Sequence, residues 1–411
     1  MPQRTVAEPQ SIAASLRRVS RYVSRYAIIT SVATSETPVK AGLEDIVVAT
    51  SSICYLDGAR GVLAYRGYDI HDLAEHASFE EVCYLLWHGR LPSRSELGEV
   101  QSQLAAARRL PEGVLRLMRS LPASNSMDAL RTLVSALSHF DSGANNMSPD
   151  GRYRTSVVLT AQVGTVVATI GRLAASGGII DPDPALNHAA NFLYMLTGKR
   201  PSQLEAKALD VALVLHADHE FNASTFAARV AAATLTDVHS SVTGAIGALK
   251  GLLHGGANTD VMNLLLELGQ DATDQKVEEI IRAKLARKEK IPGFGHRVYR
   301  TEDPRATHLR KMSEELCTRT GHRRWFEISQ KIEQVVKAQK QLNANVDFYS
   351  ATTYYALGIP VDLFTPVFAV SRMSGWTAHV LEQYANNRLI RPRAEYTGPA
   401  YPQPYVPLDR R

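Results

Sequence analysis

Along most of the chain, apolar residues recur every three or four positions and rarely alternate one by one. Phe79, Val82, Cys83, Leu85 and Leu86 fall among Glu80, Glu81 and His88, which predicts one helix with a buried face. Leu91-Pro92-Ser93 breaks that pattern, and Ser93 with Glu96 three positions on forms a capping box for the next helix. Residues 155–171 and 223–253 are dominated by Ala, Val, Leu, Ser, Thr and Gly, small side chains that let helices approach closely. Residues 277–290 and 327–340 are charged on one side and aliphatic on the other, as surface helices are. Gly, Pro and Asn punctuate these stretches, and no repeat of fixed period appears. The pattern predicts an all-α fold, with room for one short hairpin around 47–65.

Composition narrows this further. The 411 residues are 45% hydrophobic and 21% charged, proportions of a globular chain that buries a sizeable core in two or three domains. Aromatics are only 7%, and the valine-rich and aromatic segments of a large β protein are scarce. Cys54, Cys83 and Cys317 are odd in number and lack C-x-x-C spacing, which excludes a disulfide scaffold and a thiolate zinc knuckle.

The formal charge of +5 is concentrated at the start of the chain. Residues 1–40 hold six basic and two acidic side chains, a net of +4, and leave +1 for the remaining 371. The body is therefore not a nucleic-acid binder. In that first segment Leu16, Val19, Tyr22, Val23 and Tyr26 recur at helical spacing while Arg17, Arg18, Arg21 and Arg25 fall elsewhere on the wheel. Two readings stand: a leader on a cytoplasmic protein, or a transit peptide directing the chain to a mitochondrial matrix. The longest uncharged run, 155–171, is short and interrupted by Thr160, Gln162 and Thr165, so a buried helix is expected there and no membrane association.

Titratable groups stand out in four Gly-punctuated or uncharged segments: 215–224, 251–258, 292–305 and 345–350. Each has a plain explanation. His216 and His219 at i, i+3 on one helical face suggest a metal pair, though such a pair is more often structural. His254 and His296 fit as hydrogen-bonded core histidines, and Asp347 as a helix N-cap. The glycines beside both histidines favour a site, because they permit close approach of backbone to ligand. A histidine next to Gly-Gly can also face a helix N-terminus, which keeps the imidazole neutral and a donor.

At this level the sequence resembles the citrate synthases of the short bacterial type, from about Gly42 to the C-terminus. The resemblance rests on Tyr65-Arg66-Gly67-Tyr68-Asp69-Ile70, on H-A-D-H-E-x-N-A-S-T-F over 216–226, and on L-H-G-G-A-N over 253–258. It continues in G-F-G-H-R-V-Y over 293–299 with D-P-R-A, in N-V-D-F-Y-S-A over 345–351, in F-A-V-S-R-M-S-G-W over 368–376, and in the arginines of 388–393. Seven segments in order make coincidence negligible. The resemblance implies condensation of acetyl-CoA with oxaloacetate to citrate and CoA, without a metal or resident cofactor. Asp347 then matches the base, His254 the donor to the thioester oxygen and His296 the donor to the ketone. His219, Arg305 and Arg372 match oxaloacetate-binding residues. Arg391 matches an arginine that reaches into the partner subunit's site, which implies a homodimer. Lys290, Ile291, Pro292, Gly293 and Phe294 match the loop whose backbone contacts the adenine end of CoA.

The family architecture implies a large helical domain over 41–256 and 361–411 and a smaller, mobile helical domain over 257–360. Residues 1–40 form an extension outside the resemblance. The 2-methylcitrate synthases, which use propionyl-CoA, resemble the chain at the same positions. One methylene in a pocket discriminates by only about 1–3 kcal/mol, so dual activity is compatible with the sequence. A non-enzymatic binding protein on the same scaffold is the reading from another class, and the intact Asp347, His254 and His296 argue against it.

Overall fold

A computed structural model describes residues 40–43, 46–122 and 125–411. The arginine-rich segment ahead of Lys40 lies outside the described residues, so both readings of it stay as expectations. The chain divides into two units, 51–391 and a smaller one made of the N-terminal residues to 50 with 392–411. In the smaller unit, turns at Ala41–Leu43 and Leu408–Arg410 are the regular structure among the described residues.

Residues 51–391 fold as helices around one continuous apolar core, with one small sheet. The hairpin expected around 47–65 begins at Cys54. Strands Cys54–Asp57 and Val62–Tyr65 pair antiparallel with Cys54 opposite Tyr65, and a third strand, Tyr68–Asp69, extends the sheet. The turn into that third strand uses Arg66 and Gly67 at φ 52° and 88°, and Gly67 meets this at little cost. The first helix read from the pattern spans Phe79–His88, opened by a capping box of Ser78 and Glu81. Ser93 and Glu96 cap Arg94–Ala107 reciprocally, as the spacing predicts.

The uncharged run 155–171 lies inside helix Pro149–Ala174, which is long and apolar enough to cross a membrane but is mostly buried in the protein. Its small residues act as expected: a Cβ on Gly171 would stand 2.5 Å from Leu363 and 2.6 Å from Leu196. Stretch 223–253 is two helices, Ala223–Ala232 and Val238–Leu249, because Leu235 turns at φ 63° and Asp237 caps the second by accepting from the Ser240 N–H. The surface stretches are Asp274–Ala286 and Arg323–Lys340, each starting a few residues earlier than the pattern indicates.

The helix Phe364–Ala385 is the centre of the unit. It is buried on every side from Phe364 to Val380, as expected of a helix packed all round by others. No larger residue fits at its Gly375, where a Cβ would lie 2.2 Å from the Ala217 carbonyl and 2.6 Å from Asp218 Oδ1. That close approach brings the loop after residue 216 against the central helix.

Candidate active site

Arg372 projects from the central helix and is almost wholly buried. Its Nε donates to the His216 carbonyl at 2.7 Å, and its guanidinium lies 4.7 Å from the Phe368 ring centre. The terminal nitrogens have no hydrogen-bond partner among the described residues, which leaves them to an incoming carboxylate.

The pair His216 and His219 does not share a helical face. Helix Gln203–His216 ends at His216, and His219 sits in the loop that follows. Asp218 closes that loop by accepting from the Glu220 N–H at 3.1 Å, with Glu220 at φ 54°, and Asn222 caps the next helix. The metal-pair geometry is thus lost, and among the described residues no group of three or more His, Cys, Asp or Glu side chains is placed to share an ion.

Three aromatic groups meet beyond this loop. His219 Nε2 is 3.2 Å from the Tyr299 hydroxyl, and its ring centre is 5.3 Å from that of His296. His296 Nδ1 accepts from the backbone N–H groups of Val298 at 3.0 Å and Tyr299 at 3.3 Å, so its proton resides on Nε2. Burial, with the Arg305 charge nearby, holds this imidazole down to about 4, neutral at physiological pH.

His254 is fixed in the opposite sense. Its Nε2 accepts from the Ser224 N–H at 3.3 Å and lies 2.8 Å from the Ser224 hydroxyl, which Trp376 Nε1 also contacts at 3.2 Å. The proton then resides on Nδ1. Ser224 is in the first turn of helix Ala223–Ala232, so His254 faces a helix N-terminus, though of a different helix from the one it precedes. Burial and Arg372 hold it down to about 4.

Asp347 stands in the first turn of helix Val346–Ala356 but is not its cap. Asn345 takes that role, accepting from the Asp347 N–H at 3.0 Å. The Asp347 carboxyl is thereby left without a backbone duty, and burial pushes it up to about 6 against the pull of Arg305 and Arg372.

Arg305 is anchored in an unexpected way. Its Nε and Nη2 form a two-point bridge to Asp303 at 2.9 and 2.8 Å, with both side chains buried. One edge of the guanidinium is therefore held by the chain itself, and Nη1 is the atom left free. Asp303 also caps helix Pro304–Arg319 and accepts from the Val346 N–H at 3.0 Å.

The loop 290–294 is stitched to the segment before Asp347. Gly293 O accepts from the Asn345 N–H at 2.9 Å, Phe294 pairs with Ala344, and the Phe294 and Phe348 rings are 4.6 Å apart. Ile291 and Gly293 are buried and Lys290 is exposed. Gly293, at φ 80°, could not carry a Cβ without meeting Phe348 and Val261 at 2.8 Å. A cavity of about 210 Å³ opens beside this loop, bounded by His296, Tyr299, Arg300, Asp303, Asn343 and Asn345.

His219, His254, His296, Arg305, Asp347 and Arg372 are thus linked by contact or by mutual charge effects. Arg391 is exposed, and no hydrogen bond or ion pair joins it to the others among the described residues. Sequence reasoning assigned no role to Ser224, Tyr299, Asp303 or Trp376. All four lie inside the motifs named above, and the signal was their position within two to eight residues of a titratable candidate.

Helices packed around acid–base groups with fixed tautomers define a helical enzyme. The model of the citrate synthase C-terminal domain matches residues 42–393. Citrate synthase 2 of Bacillus subtilis is 52% identical over 372 residues, covering 90% of this chain and 98% of that one. A 2-methylcitrate synthase of Shewanella oneidensis is 41% identical over 373 residues, at 90% and 98% coverage. The solved ternary complex of Thermoplasma acidophilum citrate synthase with carboxymethyl coenzyme A and oxaloacetate superposes with a TM-score of 0.85 at 32% identity, covering 91% of this chain and all of that one. The chain belongs to the citrate synthase family.

Proposed function

We propose that the protein condenses acetyl-CoA with oxaloacetate and water to give citrate and free CoA. The observation that carries this reading is a carboxyl, Asp347, relieved of capping by Asn345, in company with two histidines whose protons are held on opposite ring nitrogens. A thioester α-carbon is a weak acid, so a carboxylate removes its proton only if the developing enolate is stabilised at oxygen. Asp347 takes that proton while His254 Nδ1–H donates to the thioester oxygen. The resulting enol carbon attacks the ketone carbon of oxaloacetate, and His296 Nε2–H donates to the ketone oxygen as it becomes an alkoxide. Water then cleaves the thioester of the condensed product, releasing CoA thiol and citrate. Arg372 and the free edge of Arg305 hold the substrate carboxylates, with His219 beside them. The histidines supply the electrophilic assistance, so the mechanism requires neither metal nor resident cofactor.

Residues 257–360 act as a smaller domain that closes over bound oxaloacetate, and the loop 290–294 receives the adenine end of CoA through its backbone. The working form is a cytoplasmic homodimer in which Arg391 completes the partner subunit's site. The second reading, 2-methylcitrate formation from propionyl-CoA, has support in the Shewanella relative. Release of CoA thiol with oxaloacetate, measured with acetyl-CoA and propionyl-CoA at matched concentrations, separates the two. We expect a clear preference for acetyl-CoA. A preference for propionyl-CoA moves the protein to the second reading, and no release from either overturns both.

A further inference from the structure

Helix Val346–Ala356 carries a second polar group that the mechanism leaves unused. Tyr354 follows Asp347 by seven residues, two turns along the same helical face, and aromatic side chains on a helix lean back toward its N-terminus. Its ring lies 6.4 Å from the His216 ring and 5.4 Å from that of Phe364, centre to centre. The side chain is fully buried and its hydroxyl has no hydrogen-bond partner among the described residues. His216 is equally buried. Its Nδ1–H donates to the Ala212 carbonyl at 2.8 Å, which makes Nε2 an acceptor, and Nε2 has no such partner either.

Each such orphan has lost its hydration and is costly if left dry. Here the two are complementary, a hydroxyl donor and an imidazole acceptor on neighbouring rings, but out of direct reach of one another. A buried water typically makes about three hydrogen bonds to groups of this kind. We propose that one water molecule, accepting from Tyr354 Oη and donating to His216 Nε2, gives its second hydrogen to the Asp347 carboxylate, and that Tyr354 is thereby a positioning residue for the base. The inference rests on the reading of Asp347 as the base.

Two further observations agree with it. The Asp347 charge acts on the Tyr354 hydroxyl, which places the two in one electrostatic environment. The backbone carbonyl of His216 holds Arg372, so the residue that would anchor the water also anchors the substrate-binding guanidinium. A hydrogen bond donated to an ionised carboxylate favours ionisation, so the water would offset part of what burial does to Asp347. The other charged groups acting on Asp347 are Arg305 and Asp303 from the start of helix Pro304–Arg319 and Arg372 from the central helix. These keep their charges between pH 5 and 8 and are untouched by a change at Tyr354.

Tyr354→Phe removes the hydroxyl and keeps the ring. We expect the acid limb of kcat/KM to move up by about 0.5–1 pH unit and kcat at neutral pH to fall several-fold, with KM for oxaloacetate unchanged. Phe364→Leu, which trims the packing around the same ring without touching a polar group, should leave the acid limb in place. An acid limb for Tyr354→Phe that coincides with the parent's overturns the water bridge, even if thermal stability has dropped. Asp347→Asn keeps the two failures apart. Full turnover in that variant removes the base reading itself, whereas a dead Asp347→Asn beside an unshifted Tyr354→Phe removes only the bridge.

Discussion

Glu80, Arg108, His188 and Asp210 gather where helices Phe79–His88, His188–Thr197 and Gln203–His216 meet, more deeply buried than Asp347, His254 and His296. Their protonation is as strongly perturbed: burial pushes Asp210 up to about 7 and holds His188 down to about 3. Perturbation therefore does not tell the two clusters apart. The direction of the hydrogen bonds does. Glu80 accepts from the His188 N–H at 2.7 Å and Asp210 from the Phe79 N–H at 3.1 Å, each carboxylate spent on the first residue of a helix. Arg108 donates to the carbonyls of Asp183 and Leu186. In that cluster side chains serve the backbone. At His254 and His296 the backbone serves the side chains, since N–H groups of Ser224, Val298 and Tyr299 occupy one nitrogen of each histidine and leave the other uncommitted. A perturbed group with an uncommitted, correctly aimed atom can do chemistry, whereas one committed to a helix end can only stabilise.

The largest effect that could break this contrast is at the base. Asp347→Asn should reduce turnover by about 10³-fold or more, with oxaloacetate affinity by calorimetry changed by less than about 2-fold. Retained turnover would show that the uncommitted carboxyl is idle. Next comes the anion-binding arm: Arg372→Leu should raise KM for oxaloacetate by about 10²-fold, consistent with losing charged hydrogen bonds of about 1.5–3 kcal/mol each. An unchanged KM would make Arg372 another helix-serving charge.

The smallest effect sharpens the other side. The Asp210 carboxyl is raised in the folded state from its ordinary 3.8, so its contribution to stability is present at low pH and is lost as pH rises from about 4 to about 7. Asp210→Asn keeps an acceptor for the Phe79 N–H and should flatten that part of the curve of unfolding free energy against pH. The acid limb of kcat/KM, which falls as Asp347 takes up a proton near 6, should not move. A shifted limb would mean the two clusters are coupled.

Much of this was legible in the sequence because it depends on local rules. The Phe79–His88 helix follows from a three-and-four spacing bounded by Ser78 and Gly89, and the start of the next from Ser93 and Glu96. The family and the candidate residues follow from motifs that carry chemistry. What local spacing misreads is decided by long-range contact. His216 and His219 read as one helical face, yet the chain leaves the helix at 216 because Gly375, 157 positions beyond Asp218, admits the loop against the central helix. Asp347 reads as a cap, yet Asn345 caps and releases it. Ser224 reads as one hydroxyl among many in a small-residue stretch, and only the fold brings it to His254 and Trp376.

The shared oxygen of Asp303 has a further consequence. Asp303 Oδ2 receives both Arg305 Nη2 and the N–H of Val346, the residue immediately before Asp347. Arg305 and the start of the helix that carries Asp347 are thus referred to a common datum. A shift of that one atom moves an anchor of both. In the proposed reaction a bond forms between a substrate held by Arg305 and one activated by Asp347, so the relative placement of these two side chains is what a shared anchor serves.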